Sequence, residues 1–360
     1  MSRIVLDQVA HSYVPNPQTE SDWALREMEH VWEDGGAYAL LGPSGCGKTT
    51  LLNVISGLLQ PSQGRIMFDD QDVTALPPQQ RNIAQVFQFP VIYDTMTVAE
   101  NLAFPLNNRK FDRTYVKQRV EEVAAMLDLE GDLHKKGARL SADAKQKISL
   151  GRGLVRADVA AILFDEPLTV IDPQMKWQLR RKLKQIHEQT ESTLVYVTHD
   201  QNEALTFADK VVVMYEGQVV QVGTPQELFE RPSHTFVGYF IGSPGMNLLD
   251  CQLEGKEAVV NGGRVPLNED TAQRAHNATG RLQLGIRPEF LSFDARGQSG
   301  LPVRVEQVDD LGNFQILTVR LGGELLKVKI PEDAEPPGED GTLQFPPDWT
   351  RLYADGQLVG

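Results

Sequence analysis

The stretch AYALLGPSGCGKTTLLNVISGL, residues 37–58, constrains this chain more than any other. An apolar run of strand length leads into a turn with glycines at Gly42, Gly45 and Gly47. A helix-like pattern with Leu51, Leu52, Val54 and Ile55 follows directly. Gly42, Gly47, Lys48 and Thr49 fit the spacing G-x-x-x-x-G-K-[ST]. Glycines let successive backbone N–H groups turn inward, and the following helix presents its positive end, so the turn is built to cradle phosphate oxygens. Lys48 is expected on the β- and γ-phosphates and the Thr49 hydroxyl on Mg²⁺. Gly42, Pro43, Ser44, Gly45, Cys46, Gly47, Lys48, Thr49 and Thr50 are the expected phosphate-binding set. Cys46 inside the turn reads as a space-filling side chain, with alkylation by thiol reagents as the alternative.

Three further segments supply what such a turn needs for hydrolysis. VAAILFDEP (159–167) is an apolar strand ending in two acids. Asp165 is placed to hold the magnesium shell, and Glu166, one residue on, to polarise an attacking water. LVYVTHD (194–200) is another apolar strand, with His199 within reach of a γ-phosphate. NIAQVFQFP (82–90) puts Gln88 at the end of a third strand, where its amide can contact magnesium or water. Tyr13 is a candidate for stacking on adenine, and Trp23 competes with it.

From residue 1 to about 240, strand-like and helical patterns alternate, which indicates a mainly parallel α/β sheet. Residues 95–155 are mostly helical in pattern, within a helical subdomain over about 89–155. In VKQRVEEVAAMLDL, Val116, Val120, Val123 and Met126–Leu127 share one face. After AAILFDEP come the helix PQMKWQLRRKLKQIHEQT, the strand STLVYVTHD and a strand over DKVVVMYEGQVVQVG. Beyond about 240 glycine and proline are frequent and strands are short, as in RLQLGIRP, NFQILTVRL and GELLKVKI; residues 241–360 read as a small β barrel or sandwich. The acidic run PEDAEPPGED reads as a solvated loop.

Composition narrows the partners. The 360 residues carry a formal net charge of -14, which argues against nucleic acid as a ligand and against adsorption to an acidic membrane surface. No apolar run approaches the roughly 18–20 residues of a spanning helix, and the first residues carry no signal-peptide pattern. Two distant cysteines, Cys46 and Cys251, suggest no disulfide framework. The cytosol is the expected compartment.

Taken in order, Tyr13, GPSGCGKTT, VFQ, LSADAKQ, AAILFDEPLTVID and VTHD resemble the motif set of an ABC transporter ATP-binding subunit over the first 240 residues or so. MNLL (246–249) and LGIRPEFL (284–291) make the tail similar to that of the carbohydrate- and polyol-import branch, the maltose and glycerol-3-phosphate type. The resemblance implies a P-loop NTPase domain with a helical subdomain, followed by an OB-like regulatory domain. It implies two such subunits closing head to tail on two ATP molecules, each held between one subunit's phosphate loop and the other's signature turn. Partners would be two membrane-spanning permease subunits and, through them, an external solute-binding protein. The chain would sit peripherally on the cytoplasmic face of the membrane. FPVIYDTMTVAENLAFPL (89–106) would contact a permease helix, and Asp172 would contact the opposite subunit.

One motif departs from the family. LSADAKQ stands where LSGGQ is usual: Ser141 is kept, but Ala142 and Asp143 replace the glycines and Ala144 the glutamine. As local structure this is a well-capped helix start. As a phosphate-facing turn it puts a carboxylate beside a triphosphate. A heterodimer with one dominant hydrolysis site is therefore expected. The altered turn together with VFQFPVIYDTMTV resembles the paired ATP-binding subunits of glycerol importers, with a sugar or glycerol phosphate as the alternative substrate. A soluble ATPase acting on nucleic acid, or a regulatory subunit that binds ATP without hydrolysing it, are the competing classes.

Overall fold

The run Ala37–Leu41 forms an inner strand of a six-stranded sheet in the computed structural model. All residues are described except Met1, Val170, Glu191, Asn277, Gln298, 335–337 and Gly360, and the side chain of Thr190. The chain divides into two units, residues 1–225 and 226–360.

The first unit contains strands β1 (Ile4–His11), β2 (Leu25–Trp32), β3 (Ala37–Leu41), β4 (Gln63–Phe68), β5 (Gln71–Asp72), β6 (Ala84–Val86), β7 (Ile162–Asp165), β8 (Leu194–Thr198), β9 (Lys210–Tyr215) and β10 (Gln218–Gly223). Its helices are α1 (Lys48–Ser56), α2 (Val98–Asn108), α3 (Arg113–Met126), α4 (Ala142–Leu154), α5 (Pro173–Thr190) and α6 (Gln201–Phe207). One sheet runs β10-β9-β3-β8-β7-β6; only the β9–β10 pair is antiparallel. A second, antiparallel sheet runs β2-β1-β4-β5.

Every residue of β3 is buried, as expected for a parallel strand covered on both faces. Leu40 and Leu41, fully buried, each contribute about 1.5–3 kcal/mol of transfer free energy. The expected helical stretch is α2–α4. Val116, Val120, Val123 and Leu127 are buried, whereas Met126 is only half-buried.

One expectation is corrected. The run DKVVVMYEGQVVQVG is not one strand but the hairpin β9–β10. Glu216 and Gly217 turn it with φ of 46° and 77°, the pair of positive values that a tight hairpin turn demands. The two compact units meet in the sequence at 225/226. Residues 226–241 form short helical turns that read like the preceding α/β texture, but their hydrogen bonds go to the β-rich unit. The buried Arg287 guanidinium donates to the carbonyls of Leu228, Phe229, Gly238 and Ile241 and lies 4.0 Å from the Phe229 ring centre. Burial pushes its pKa down to about 10. The Tyr353 hydroxyl donates to Pro232 O at 2.9 Å.

The rest of the second unit is β-rich. Its five-stranded antiparallel sheet orders Ser292–Asp294, Asp340–Gln344, Leu301–Asp310, Phe314–Leu321 and Glu324–Pro331. Two smaller sheets and one short helix, Glu269–Ala275, complete it around a core that includes Leu284, Leu317 and Leu343. The acidic run 331–340 lies in part outside the described residues.

Candidate functional site

In an open α/β sheet, ligands bind beyond the carboxyl ends of the parallel strands. Register puts the expected residues there. Leu41 pairs with Thr198 and Asp165 with Val197, so Gly42, Glu166 and His199 leave neighbouring strand ends. Gln88 does not end a strand: β6 stops at Val86, and the half-buried Gln88 lies in the bend that follows.

The loop 42–47 is folded by its glycines. Gly47 caps α1 at φ 100°, and Gly45 has φ 82°. Gly42 is needed for space instead: a Cβ there would lie 2.3 Å from Met214 O. Lys48, at the first position of α1, is 5% exposed; its ammonium donates to the carbonyls of Gly42 and Pro43 at 2.8 and 2.9 Å. Cys46 is buried against it, with Sγ 3.8 Å from Nζ, and burial pushes the thiol pKa up. The Gly217 N–H donates to Cys46 O at 3.2 Å, so the β9–β10 turn props the loop from below. Sequence reasoning missed this support because it lies about 170 residues downstream.

Thr49 Oγ1 donates to Asp165 Oδ1 at 3.3 Å, joining the loop to β7. Burial holds the Asp165 carboxyl above the usual carboxylate range, while the Thr49 hydrogen bond pulls it the other way and the Glu166 charge adds to the rise. A hydroxyl and a carboxylate this close are oxygen donors of the kind a hard divalent cation takes.

Glu166 adopts φ 46°, a left-handed conformation that costs a non-glycine residue about 1–3 kcal/mol. The surroundings hold it there. Its N–H donates to Val197 O at 3.0 Å, and its Oε2 lies 3.2 Å from both His199 Nδ1 and Thr169 Oγ1. These two contacts go to Oε2 and leave Oε1 unengaged by either neighbour. His199 is half exposed. Behind it, Thr198 and Tyr196 both donate to the buried Glu203 carboxylate, which fixes the end of β8.

Tyr13 has a 64% exposed ring, and its hydroxyl is 3.2 Å from Thr50 Oγ1, beside the phosphate loop; Trp23 is half-buried. Asp172 caps α5 by accepting from the N–H groups of Gln174 and Met175. Ser141 is exposed and caps α4, its Oγ accepting from Ala144 N at 3.3 Å, with Asp143 half-buried in the first turn. The structure thus brings the loop, Asp165, Glu166 and His199 to neighbouring strand ends of one sheet, and Tyr13, which follows β1 of the other sheet, reaches the loop through Thr50. Thr169, which sequence reasoning did not single out, joins them; its signal was three residues of spacing from Glu166 in a turn.

Comparison with known proteins fits this geometry. A family model described as "ABC transporter" matches residues 25–169, a "MalK OB fold domain" model matches 242–291 and a "TOBE domain" model 284–352. The sn-glycerol-3-phosphate import ATP-binding protein UgpC of Escherichia coli O157:H7 is 39% identical over 328 residues, 90% of this chain and 91% of that protein. The UgpC of Bordetella avium is 39% identical over 298 residues, 82% of this chain and 81% of that protein. Among solved structures, cbiO1 of Clostridium perfringens, part of an ABC transporter complex, is 26% identical with a TM-score of 0.58, covering 63% of this chain and 90% of its own. The ATP-binding cassette MJ0796, a dimer solved with ADP and phosphate, is 26% identical with a TM-score of 0.55, covering 62% and 98%. The chain belongs to the ATP-binding subunits of ABC transporters, in the carbohydrate-importer branch, and is an ABC-type transporter ATPase.

Proposed function

We propose that this chain binds Mg²⁺-ATP at the edge formed by β3, β7 and β8 and hydrolyses it to drive import of glycerol or a phosphorylated relative. The observation that carries the reading is the Glu166–His199 pair held 3.2 Å apart where β7 and β8 end, beside the strand that leads into the phosphate loop. Residues 42–50 hold the phosphates and Lys48 exchanges its carbonyl partners for phosphate oxygens. Thr49, Asp165 and Gln88 would hold the magnesium ion, which when bound neutralises phosphate charge. Glu166 accepts a proton from the attacking water, His199 contacts the γ-phosphate and Tyr13 stacks on adenine. The test is Glu166→Gln in the assembled transporter. Hydrolysis should fall by about 10²–10⁴ with ATP binding retained. A variant that still turns over normally refutes the assignment.

The partners in this reading are two permease subunits, an external solute-binding protein and a second ATP-binding subunit, with this chain on the cytoplasmic membrane face. Among the described residues, no helix is long and apolar enough to cross a membrane. The exposed aromatics Phe87, Phe89 and Tyr93 support permease docking in that region. Asp143, in the first turn of α4 beside the exposed Ser141, supports a heterologous second subunit. Unit charges 4 Å apart repel by about 4 kcal/mol at an effective dielectric of 20, enough to weaken the ATP site built from this turn. Asp143→Gly should then raise ATP turnover in the complex. A chain that dimerises alone and hydrolyses ATP at an ordinary rate would sink the asymmetry. For the substrate, the altered turn favours glycerol, whereas the relatives named for sn-glycerol-3-phosphate favour the phosphorylated form. Uptake assays with both solutes in the reconstituted importer separate them.

A further inference from the structure

Gln146 is fully buried in α4, five residues after Ser141. Its Nε2 donates to Pro167 O at 2.6 Å. Proline has no N–H, so this residue can present only its carbonyl, and the amide must face it nitrogen first. The other amide atom, Oε1, is buried with no hydrogen-bond partner among the described residues. A buried acceptor without a donor costs stability that an apolar side chain of the same size would not. Packing alone therefore argues for methionine or leucine here, and the polar group marks a different requirement.

That requirement follows from what α4 touches. On one flank it holds residues 91–94. Lys145 Nζ pairs with Asp94 Oδ1 at 2.9 Å, and Val91 N donates to Ser149 Oγ at 3.3 Å. Arg152 donates to Val91 O and lies 4.9 Å from the Tyr93 ring centre. At its start α4 carries the Ser141–Asp143 turn. On its buried side Gln146 reaches the residue directly after Glu166. Glu166 sits in a strained left-handed turn, which a shift of its neighbouring peptide would release.

We infer that Gln146 is a positioning residue: its hydrogen bond to Pro167 O ties the catalytic Glu166 to α4, so that the carboxylate is aimed only when α4 and the 91–94 segment are in place. The inference rests on the reading of Glu166 as the water-activating group. It acts on the chemical step, because among the described residues the Gln146 side chain hydrogen-bonds beside Glu166 and not to the phosphate loop or Tyr13.

The experiment is steady-state ATPase of the assembled transporter carrying Gln146→Met or Gln146→Glu. Gln146→Met keeps the volume and removes the donor. It should lower kcat about three- to tenfold with KM for ATP changed less than about twofold. Gln146→Glu can donate to Pro167 O only when protonated. Its kcat should recover as pH falls from about 8 to about 6, a trend absent from the parent and from Gln146→Met. A parent-like kcat for Gln146→Met overturns the inference, as does a flat pH profile for Gln146→Glu. Where Gln146→Met does not fold, the Gln146→Glu profile alone decides. Glu166→Gln serves as the control: if it hydrolyses ATP normally, the reading of Glu166 fails. If it is inactive while Gln146→Met is parent-like, only the role of Gln146 fails.

Discussion

Gly45 and Gly47 stand two residues apart in the phosphate loop, both with positive φ, yet they should respond very differently to alanine. At Gly45, φ is 82° and an added Cβ would meet nothing within 4 Å. The substitution costs the left-handed conformation alone, about 1–2 kcal/mol. At Gly47, φ is 100° and the Cβ would lie 2.5 Å from Ala24 O and 2.9 Å from Leu25 Cδ2. Neither neighbour can withdraw freely. Leu25 is fully buried at the start of β2, and Arg26 N is bonded to Gly217 O at 2.8 Å. Overpacking adds about 1–3 kcal/mol, for a total of about 2–5 kcal/mol. In a unit of this size each kcal/mol lowers the midpoint by about 2–4 °C. Thermal unfolding of the two variants, without nucleotide so that lost ligand contacts do not contribute, should separate them by about 2–12 °C, with Gly47→Ala the less stable. Equal midpoints, or a less stable Gly45→Ala, would refute the claim that close approach to β2, rather than φ alone, requires glycine at 47.

Arg81 should matter for the same helix from its other end. It is 2% exposed and donates to the carbonyls of Val54 and Ile55 at the end of α1 and to those of Thr74 and Leu76. Arg81→Met strands these acceptors and should cost about 3–5 kcal/mol in denaturant unfolding of the first unit; a loss below about 1 kcal/mol contradicts the capping role. Both cysteines should resist maleimide near neutral pH in the folded chain. Burial pushes the Cys46 thiol up and the Cys251 thiol up to about 11, so little thiolate is present to react. Mass spectrometry should show two adducts only after denaturation, and rapid labelling of either native thiol would contradict this.

The phosphate loop was legible because its conformation is local. Glycines at 42, 45 and 47, an apolar strand before them and a helix after them state the turn within about a dozen residues. The segments bearing Asp165 and His199 were legible for a related reason: a short apolar run with a polar end is how a buried parallel strand meets the ligand edge. The hairpin at Glu216–Gly217 was misread as one strand because apolar runs on both sides of a two-residue turn leave almost no compositional break. Residues 226–241 read like the α/β run before them because texture reports local propensity, whereas their hydrogen bonds come from Arg287, Arg351 and Tyr353 later in the chain.

The sequence by itself determined the chemistry this protein can carry: a phosphate turn, a carboxylate pair, a histidine, and a helix start whose glycines are replaced. Steric rules on φ and the chemistry of side chains act over a few residues, so a short string states them. Only the tertiary structure decided which of these groups meet. Thr49 reaches Asp165 across 116 positions because β3, β8 and β7 are adjacent in one sheet. Glu166 keeps its left-handed turn because β8 accepts its N–H and Gln146 holds the next carbonyl. Those contacts are selected by burial and strand register over the whole unit, and no short stretch of sequence states them.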